Sequence, residues 1–280
     1  MSIRVRTPES GSSRIAGGLS ENERTARTAY DALALDYDAL TATHDHERWL
    51  ATLVALARRH GLRGRRVLDV GCGTGRSFEP LLRRGYAVRA CDVSPEMVRV
   101  ARRRFPRVRV EVADMRALPR WGRFRRVDLV TCLDDALNYL PAEPDLDAAF
   151  AGIARSLRRG GLFVFDLNSL RTYRTAFAQS FSVDAGDVRF VVCGEAAPDA
   201  LAGAVCLSRI EVHTRDADGA WRRRVSEHAQ RHWPTDTVCA RLAEAGLRPV
   251  ALHGQTTGCV LHQTVDEARD TKVIVVARRD

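Results

Sequence analysis

Arg66-Val67-Leu68-Asp69-Val70 runs directly into Gly71-Cys72-Gly73-Thr74-Gly75-Arg76. An apolar run of this kind reads as a strand buried in a parallel sheet. Three glycines at alternate positions then make a turn that no side chain crowds, and a helical pattern follows. Strand, glycine turn and helix start together make a nucleotide pocket: glycine lets the backbone approach a ligand, and the first N–H groups of a helix face it. A second apolar strand, Tyr86 to Cys91, ends in Asp92. That acid falls about 20 residues past the loop, where a carboxylate can accept from both ribose hydroxyls.

The glycine spacing narrows the nucleotide. A dinucleotide fingerprint needs a third small residue at the position that Arg76 occupies, and a phosphate-binding P-loop needs a Gly-Lys-Ser/Thr that is not present. Asp69-Val70-Gly71-Cys72-Gly73-Thr74-Gly75 instead resembles the first motif of class I S-adenosylmethionine-dependent methyltransferases. Asp92 matches that family's ribose-binding acid and Ala113-Asp114-Met115 its adenine-edge motif. The resemblance covers roughly residues 30–168 and resumes at 234–280. It implies S-adenosyl-L-methionine as cofactor, held by Gly71, Gly73, Asp92 and Leu133. Asp114 would accept from the exocyclic amine, the Met115 backbone N–H would meet a ring nitrogen, and Met97 would lie against the adenine. The Tyr-Asp segment from Thr28 to Leu40 resembles the helix that covers the cofactor in small-molecule members. Tyr37, and Tyr30 with it, would then reach the methionine carboxylate or the acceptor. Trp49, in the apolar stripe Trp49, Leu50, Leu53, Val54, Leu56, is counted with the cofactor contacts.

The rest of the chain supports an α/β fold. Strands at Val108–Val112, Val127–Cys132 and Leu162–Asp166 alternate with helices at Ser77–Arg84, from Pro95, and at Leu146–Arg159. Alternation implies a doubly wound, Rossmann-like parallel sheet covered on both faces. Ligands bind beyond the carboxyl ends of such strands, a rim that holds Gly71, Asp92, Asp114, Leu133, Asp135 and Asn168. After Ser169 the alternation stops. Runs at 189–193, 204–213 and 222–233 follow one another without helices, which implies a small antiparallel β cap inserted after the fifth strand. A helix from Pro234 to Ala245 returns to the core, and Arg248–Leu252 with Lys272–Ala277 form a closing antiparallel hairpin. The division expected is a mobile tail at 1–28, a cofactor-binding core at 29–169 plus 234–280, and a substrate cap at 170–233. The long stretch from Gly254 to Thr271 is expected to border the substrate.

Charge and cysteines bound the partners. The net charge of +9 could serve an anionic partner. Yet Lys272 is the only lysine, and the arginines are spread out, with triples only at Arg102–Arg104 and Arg222–Arg224. Nucleic acid is therefore not expected as a partner, and the oligomeric state is left as monomer or homodimer. No run of 18 apolar residues and no apolar leader is apparent, so a cytoplasmic protein with no membrane partner is expected. Seven cysteines without a C-x-x-C pair fit reduced thiols, with Cys72, Cys91, Cys132, Cys193 and Cys206 as small core residues. His44-Asp45-His46 invites a metal reading, but two histidines at i, i+2 on a helix point to different sides. No metal is expected.

Three groups could serve the acceptor. Leu133-Asp134-Asp135-Ala136-Leu137-Asn138-Tyr139-Leu140 lacks the Asn/Asp-Pro-Pro-Tyr/Phe of methyltransferases that act on adenine or glutamine amides. It resembles the Asp-Ser-Leu-Asn-Tyr-Leu stretch of small-molecule members, with Ala136 in place of Ser. Asp135 stands there as a catalytic candidate or a helix cap, and Asn168 ends the fifth strand where it could bond an acceptor. In Glu227–Trp233, strand alternation puts His228, Gln230 and His232 on one face, as a pocket wall or a solvent face. His228 or His232 would act as base or orienting group. The function implied is methyl transfer to a small-molecule acceptor, on nitrogen or otherwise carbon or oxygen, in specialised metabolism. The alternatives are an RNA methyltransferase and a non-catalytic cofactor-binding protein.

Overall fold

The structure is a computed structural model that describes residues 21–118 and 126–280, with side chains described from residue 26 onward. The chain opens with α1 (Glu21–Leu33), α2 (Tyr37–Leu40) and α3 (His46–Arg59). β1 (Arg66–Val70), α4 (Glu79–Arg83), β2 (Ala87–Asp92), α5 (Pro95–Arg104), β3 (Arg109–Val112), β4 (Val127–Cys132), α6 (Glu143–Ser156) and β5 (Leu157–Asn168) then alternate. α7 (Leu170–Thr175) leads to four successive strands, β6 (Ser180–Asp184), β7 (Val188–Gly194), β8 (Val205–Arg215) and β9 (Trp221–Arg231). α8 (Thr235–Glu244), β10 (Leu247–Thr256), β11 (Val260–His262) and β12 (Lys272–Arg279) end the chain.

Eight strands form one sheet in the order β11-β10-β12-β5-β4-β1-β2-β3. β1 to β5 are parallel, while β12 runs antiparallel between β5 and β10. This is the α/β fold with a closing hairpin that the alternation implies. The strands of the parallel part are buried on both faces because two apolar layers cover them. Leu68, Val130, Phe163 and Phe165 pack with α6 and α8 on one face. Val67, Leu129, Leu162 and Val164 pack with α3 and α5 on the other. The register of β10 shifts between Pro249 and Ala251, where proline has no N–H to give the ladder. Ser94 caps α5 by accepting from the Met97 N–H, with Pro95 at the first turn.

The second sheet is antiparallel, in the order β6-β7-β8-β9. Leu33 of α1 packs against Phe190 and Val212 of this sheet, and Arg224 of β9 reaches Asp36 and the Ala32 carbonyl. That contact explains why the expected tail ends earlier than residue 28. Residues 1–20 lie outside the described residues, but from Glu21 the chain is helical. Among its described side chains, Ala29 and Leu33 carry its buried face, followed by Ala34 just past its end, a pattern too sparse to read as periodicity. The helix expected from Ser77 shortens to Glu79–Arg83, because the residues before it wind as turns closed by Gly75 N–H to the Cys72 carbonyl. β6, mostly exposed at the sheet edge, α7 and β11 were not expected. None of the seven cysteines is paired, and Cys193 is only half-buried. Among the described residues no helix is long and apolar enough to cross a membrane.

Candidate active site

The carboxyl ends of β1, β2, β3 and β4 open onto one cavity, and Tyr30, Tyr37 and Tyr139 close it from the opposite side. Its floor is the glycine turn. Gly71 and Gly73 hold φ of +72° and +52°, the left-handed region that side chains disfavour. A Cβ on Gly71 would also stand 3.0 Å from that of Ala136. The Gly71 and Cys72 N–H groups both donate to the Cys91 carbonyl, at 2.8 and 3.0 Å, so the turn is fixed against β2. Asp69 stabilises the turn from below, accepting from Thr131 at 2.6 Å and from Ser77. Burial pushes Asp69 up to about 7 despite those two donors.

Asp92 is buried at the end of β2 and lines the cavity. Its Oδ2 accepts from the Gly73 N–H at 2.8 Å and its Oδ1 from the Ser94 N–H at 2.9 Å. Burial raises its pKa, and the backbone donors oppose the rise. A carboxylate has about four lone-pair sites, so acceptor capacity remains after these bonds. Met97 and Leu133 give the cavity buried apolar walls, and Met115 lies beside them. Asp114 also lines the cavity, but its carboxylate caps the Arg116 N–H and is forked by the Arg116 guanidinium, which reaches on to Asp145 at 2.9 Å. Tyr37 lines the cavity beside the glycine turn.

Arg76, His46 and Asp134 line the cavity and carried no expectation as site residues. Arg76, read only as the residue that breaks the dinucleotide fingerprint, donates to the Asp38 carbonyl at 2.8 Å and to the His44 carbonyl at 3.3 Å. It thereby ties α2 and the next loop to the glycine turn. His44 precedes the N-cap Asp45, so it is not on α3, and the argument that the two histidines diverge on one helix does not apply. Their rings lie 4.3 Å apart. His46 is buried rather than a surface residue.

The structure places five expected site residues behind the cavity wall. Trp49 is fully buried, and its Nε1–H donates to Gln255 at 2.8 Å, because the apolar stripe of α3 faces the sheet and not the cavity. Asp135, left-handed at φ 52°, makes no side-chain cap; its carboxylate accepts from Lys272 at 2.7 Å and from Gln230 at 2.6 Å. Lys272 also donates to Asp166 at 2.6 Å. Burial opposes the charge on Lys272, but Asp135, Asp166 and Asp134 outweigh it and hold the ammonium protonated. Burial brings Asp166 up to about 6, even beside Lys272. Asn168 donates to Gln230 at 3.0 Å, and its backbone N–H donates to Asn138. His232 accepts from the Gly203 N–H and pairs with Glu267 at 2.9 Å, so both ring nitrogens are engaged away from the cavity. Glu267 and Gln255 lie in the stretch expected to border the substrate; it packs against this seam instead.

His228 lies one ring behind the wall. Tyr30 donates to Tyr139 at 3.0 Å, Tyr139 and His228 Nδ1 are 2.9 Å apart, and His228 Nε2 is 3.0 Å from Ser226. The last link fixes the direction of the chain. Ser226 Oγ lies 3.4 Å from the Ile210 carbonyl, which can only accept. Ser226 then accepts from His228 Nε2–H, His228 Nδ1 accepts from Tyr139, and Tyr139 accepts from Tyr30. Burial pushes His228 down to about 4, which keeps it neutral and suits this single-proton arrangement.

Residues 67–161, which carry the glycine turn, Asp92 and Asp114, match the family described as Methyltransferase domain. The chain carries a methyltransferase domain. The cofactor that goes with this methyltransferase core is S-adenosyl-L-methionine. A protein of Geobacillus sp. (strain WCH70) that is named as a methyltransferase is 28% identical over 220 residues, 78% of this chain and 88% of that protein. The dTDP-3-amino-3,6-dideoxy-alpha-D-glucopyranose N,N-dimethyltransferase of Streptomyces fradiae is 34% identical over 122 residues, 44% of this chain and 47% of its own length. Among solved structures, an S-adenosylmethionine-dependent methyltransferase from Clostridium acetobutylicum ATCC 824 shares the fold with a TM-score of 0.73 at 23% identity, over 89% of this chain and 98% of that one. The sugar N-methyltransferase KedS8 from Streptoalloteichus sp ATCC 53650 does so with a TM-score of 0.71 at 22% identity, over 98% of this chain and all of its own.

Proposed function

We propose that the chain transfers a methyl group from S-adenosyl-L-methionine to the nitrogen of a small-molecule amine, with an amino sugar as the acceptor class. The observation that carries this reading is the one-way chain from Tyr30 to Ile210. Tyr30 donates to Tyr139, Tyr139 to His228 and Ser226 to the Ile210 carbonyl, so the Tyr30 oxygen, on the cavity lining, keeps a lone pair for an acceptor's N–H. An amine N–H can donate to that lone pair, and its own lone pair is then free to face the reacting carbon. Burial raises the Tyr30 pKa well above its ordinary value, so the phenol stays protonated and orients rather than deprotonates. The Streptomyces fradiae relative and KedS8 support the acceptor class by their names.

The cavity suits the cofactor. Gly71 and Gly73 clear the backbone side, Asp92 is held with lone pairs to spare for two ribose hydroxyls, and Met97 with Leu133 offers an apolar face to adenine. The adenine-edge role stays with Asp114 and Met115, and that of the methionine end with Tyr37. The cofactor supplies an activated methyl on a sulfonium that is already a leaving group; the protein aligns and encloses. Residues 170–233 are the segment we assign to enclosing the acceptor, through β9 and Tyr139. We further propose a small-molecule partner rather than RNA, because Arg104, Arg222, Arg223 and Arg224 are each paired with a carboxylate.

Incubation with methyl-labelled cofactor and a panel of amino sugars, alongside their hydroxyl isosteres, tests the reading. Label should appear on an amine and not on its isosteric alcohol, and Tyr30→Phe should lower kcat by roughly 10-fold or more. Methylation of the alcohols, or of RNA alone, would overturn the acceptor assignment.

A further inference from the structure

His44, His46 and Asp134 converge at the edge of the cavity, and we infer that they bind one divalent transition-metal ion. The inference is independent of the acceptor proposed above. Convergence comes from local structure. Asp45 caps α3 by accepting from the Arg48 N–H at 2.9 Å, which leaves His44 on the incoming loop and His46 at the first helical position. Asp134, left-handed at φ 57° just past β4, turns its carboxylate towards both rings. His46 Nε2 is 3.2 Å from Asp134 Oδ2, and His44 Nε2 is 4.0 Å from Oδ1. All three donor atoms lie within 4.8 Å of one another. Ligands about 2.1 Å from a tetrahedral ion stand roughly 3.4 Å apart, so small rotations close the site.

The hydrogen-bond inventory points to a cation among the three groups. His46 Nδ1 is 3.2 Å from the His44 carbonyl, which can only accept, so Nδ1 carries the hydrogen. In the neutral ring the Nε2 lone pair then faces a carboxylate oxygen, acceptor against acceptor. His44 Nε2 is buried and has no hydrogen-bond partner. A proton on His46 would relieve the first contact and leave His44 unpartnered. A metal ion satisfies all three atoms at once. The bond from His46 Nδ1–H to a backbone carbonyl is also what orients metal-binding imidazoles, and Trp49 supports His44 edge-on at 5.0 Å.

The donor set selects the ion. Two imidazoles and one carboxylate suit zinc, cobalt or ferrous iron, whereas magnesium and calcium favour oxygen. Three protein ligands leave a position open, the pattern of sites that also take a ligand. His46 and Asp134 line the main cavity, and a second hollow, lined by His44 and His46, gives a path from solvent.

The test uses the full chain stripped with a chelator. Cobalt(II) titration should produce visible d–d absorption that saturates at one equivalent. Zinc, measured by competition with a chromophoric chelator, should bind at the same stoichiometry and bleach the cobalt spectrum. His44→Ala and Asp134→Asn should each weaken zinc by roughly 10-fold or more, while His213→Ala, which removes a histidine on the far sheet, should not. Circular dichroism melts confirm that each variant is folded. Zinc should also shift the His46 Nε2 resonance and leave Nδ1 protonated. Equal affinity in the parent and both ligand variants, or a His46 ring doubly protonated and unmoved by zinc, would overturn the site.

Discussion

Two polar regions meet at the carboxyl ends of the strands, and they behave differently. Along the cavity, Asp92 is held by two backbone donors and keeps lone pairs towards open space. Along the seam between the second sheet and the core, Asp135, Lys272, Gln230, Asn168 and the Oδ2 of Asp166 bond to one another. His232 does the same with Glu267 and Gly203. Both sets are buried, polar and at the rim, so position alone does not separate binding groups from structural ones. What separates them is where the remaining lone pairs point.

The largest effect that tests this contrast lies in the seam. Lys272→Met strands the Asp135 and Asp166 carboxylates without their cation, which should cost about 3–5 kcal/mol in urea unfolding. Unchanged stability would mean the seam is not the structural region. Next in size is the acid sensitivity of His228. Burial lowers it to about 4, against roughly 6.5 in the unfolded chain. Between those values the unfolded chain binds a proton that the folded chain refuses, so stability is lost as pH falls through the window, by at most about 3 kcal/mol. Asp69 and Asp166, raised by burial, carry the opposite sign, with stability lost as pH rises towards their folded values. They are common to parent and variant, so the difference between parent and His228→Phe from pH 7 to 4 isolates the histidine. A flat difference would contradict the neutral, inward-donating chain. Smallest is Trp49→Phe, which leaves the buried Gln255 oxygen unpaired and should cost about 1–3 kcal/mol of stability while cofactor affinity stays the same. Weakened cofactor binding would return Trp49 to the cavity.

The contrast also explains what could be read from sequence. The glycine turn, Asp92, Asp114 and Leu133 each follow a strand directly, so the order of elements brings them to one rim with no knowledge of packing. The antiparallel β7, β8 and β9 were legible from alternation, and the closing hairpin from its two apolar runs. The alternation also showed that His228, Gln230 and His232 share a face. It could not show that the face is turned onto Tyr139, Asp135 and Glu267, because those partners lie 89, 95 and 35 residues away. Trp49 failed similarly: a helical stripe shows which residues are buried, not against what. The start of α1, before Thr28, was read as tail because the helix is held by packing of Leu33 on Phe190 and Val212, far along the chain. His44 and His46 were set aside on helix geometry, but the helix begins two residues after His44.

The central claim is that the cavity above β1 and β2 holds S-adenosyl-L-methionine through Asp92. Titration calorimetry of S-adenosylhomocysteine against the parent and Asp92→Ala tests it most directly. The account predicts one site in the parent, no binding of NAD, and a loss in the variant of about 1.5–3 kcal/mol, or roughly 10- to 150-fold in Kd. Equal affinity in a folded Asp92→Ala variant, or NAD binding in place of the adenosyl ligand, would contradict it.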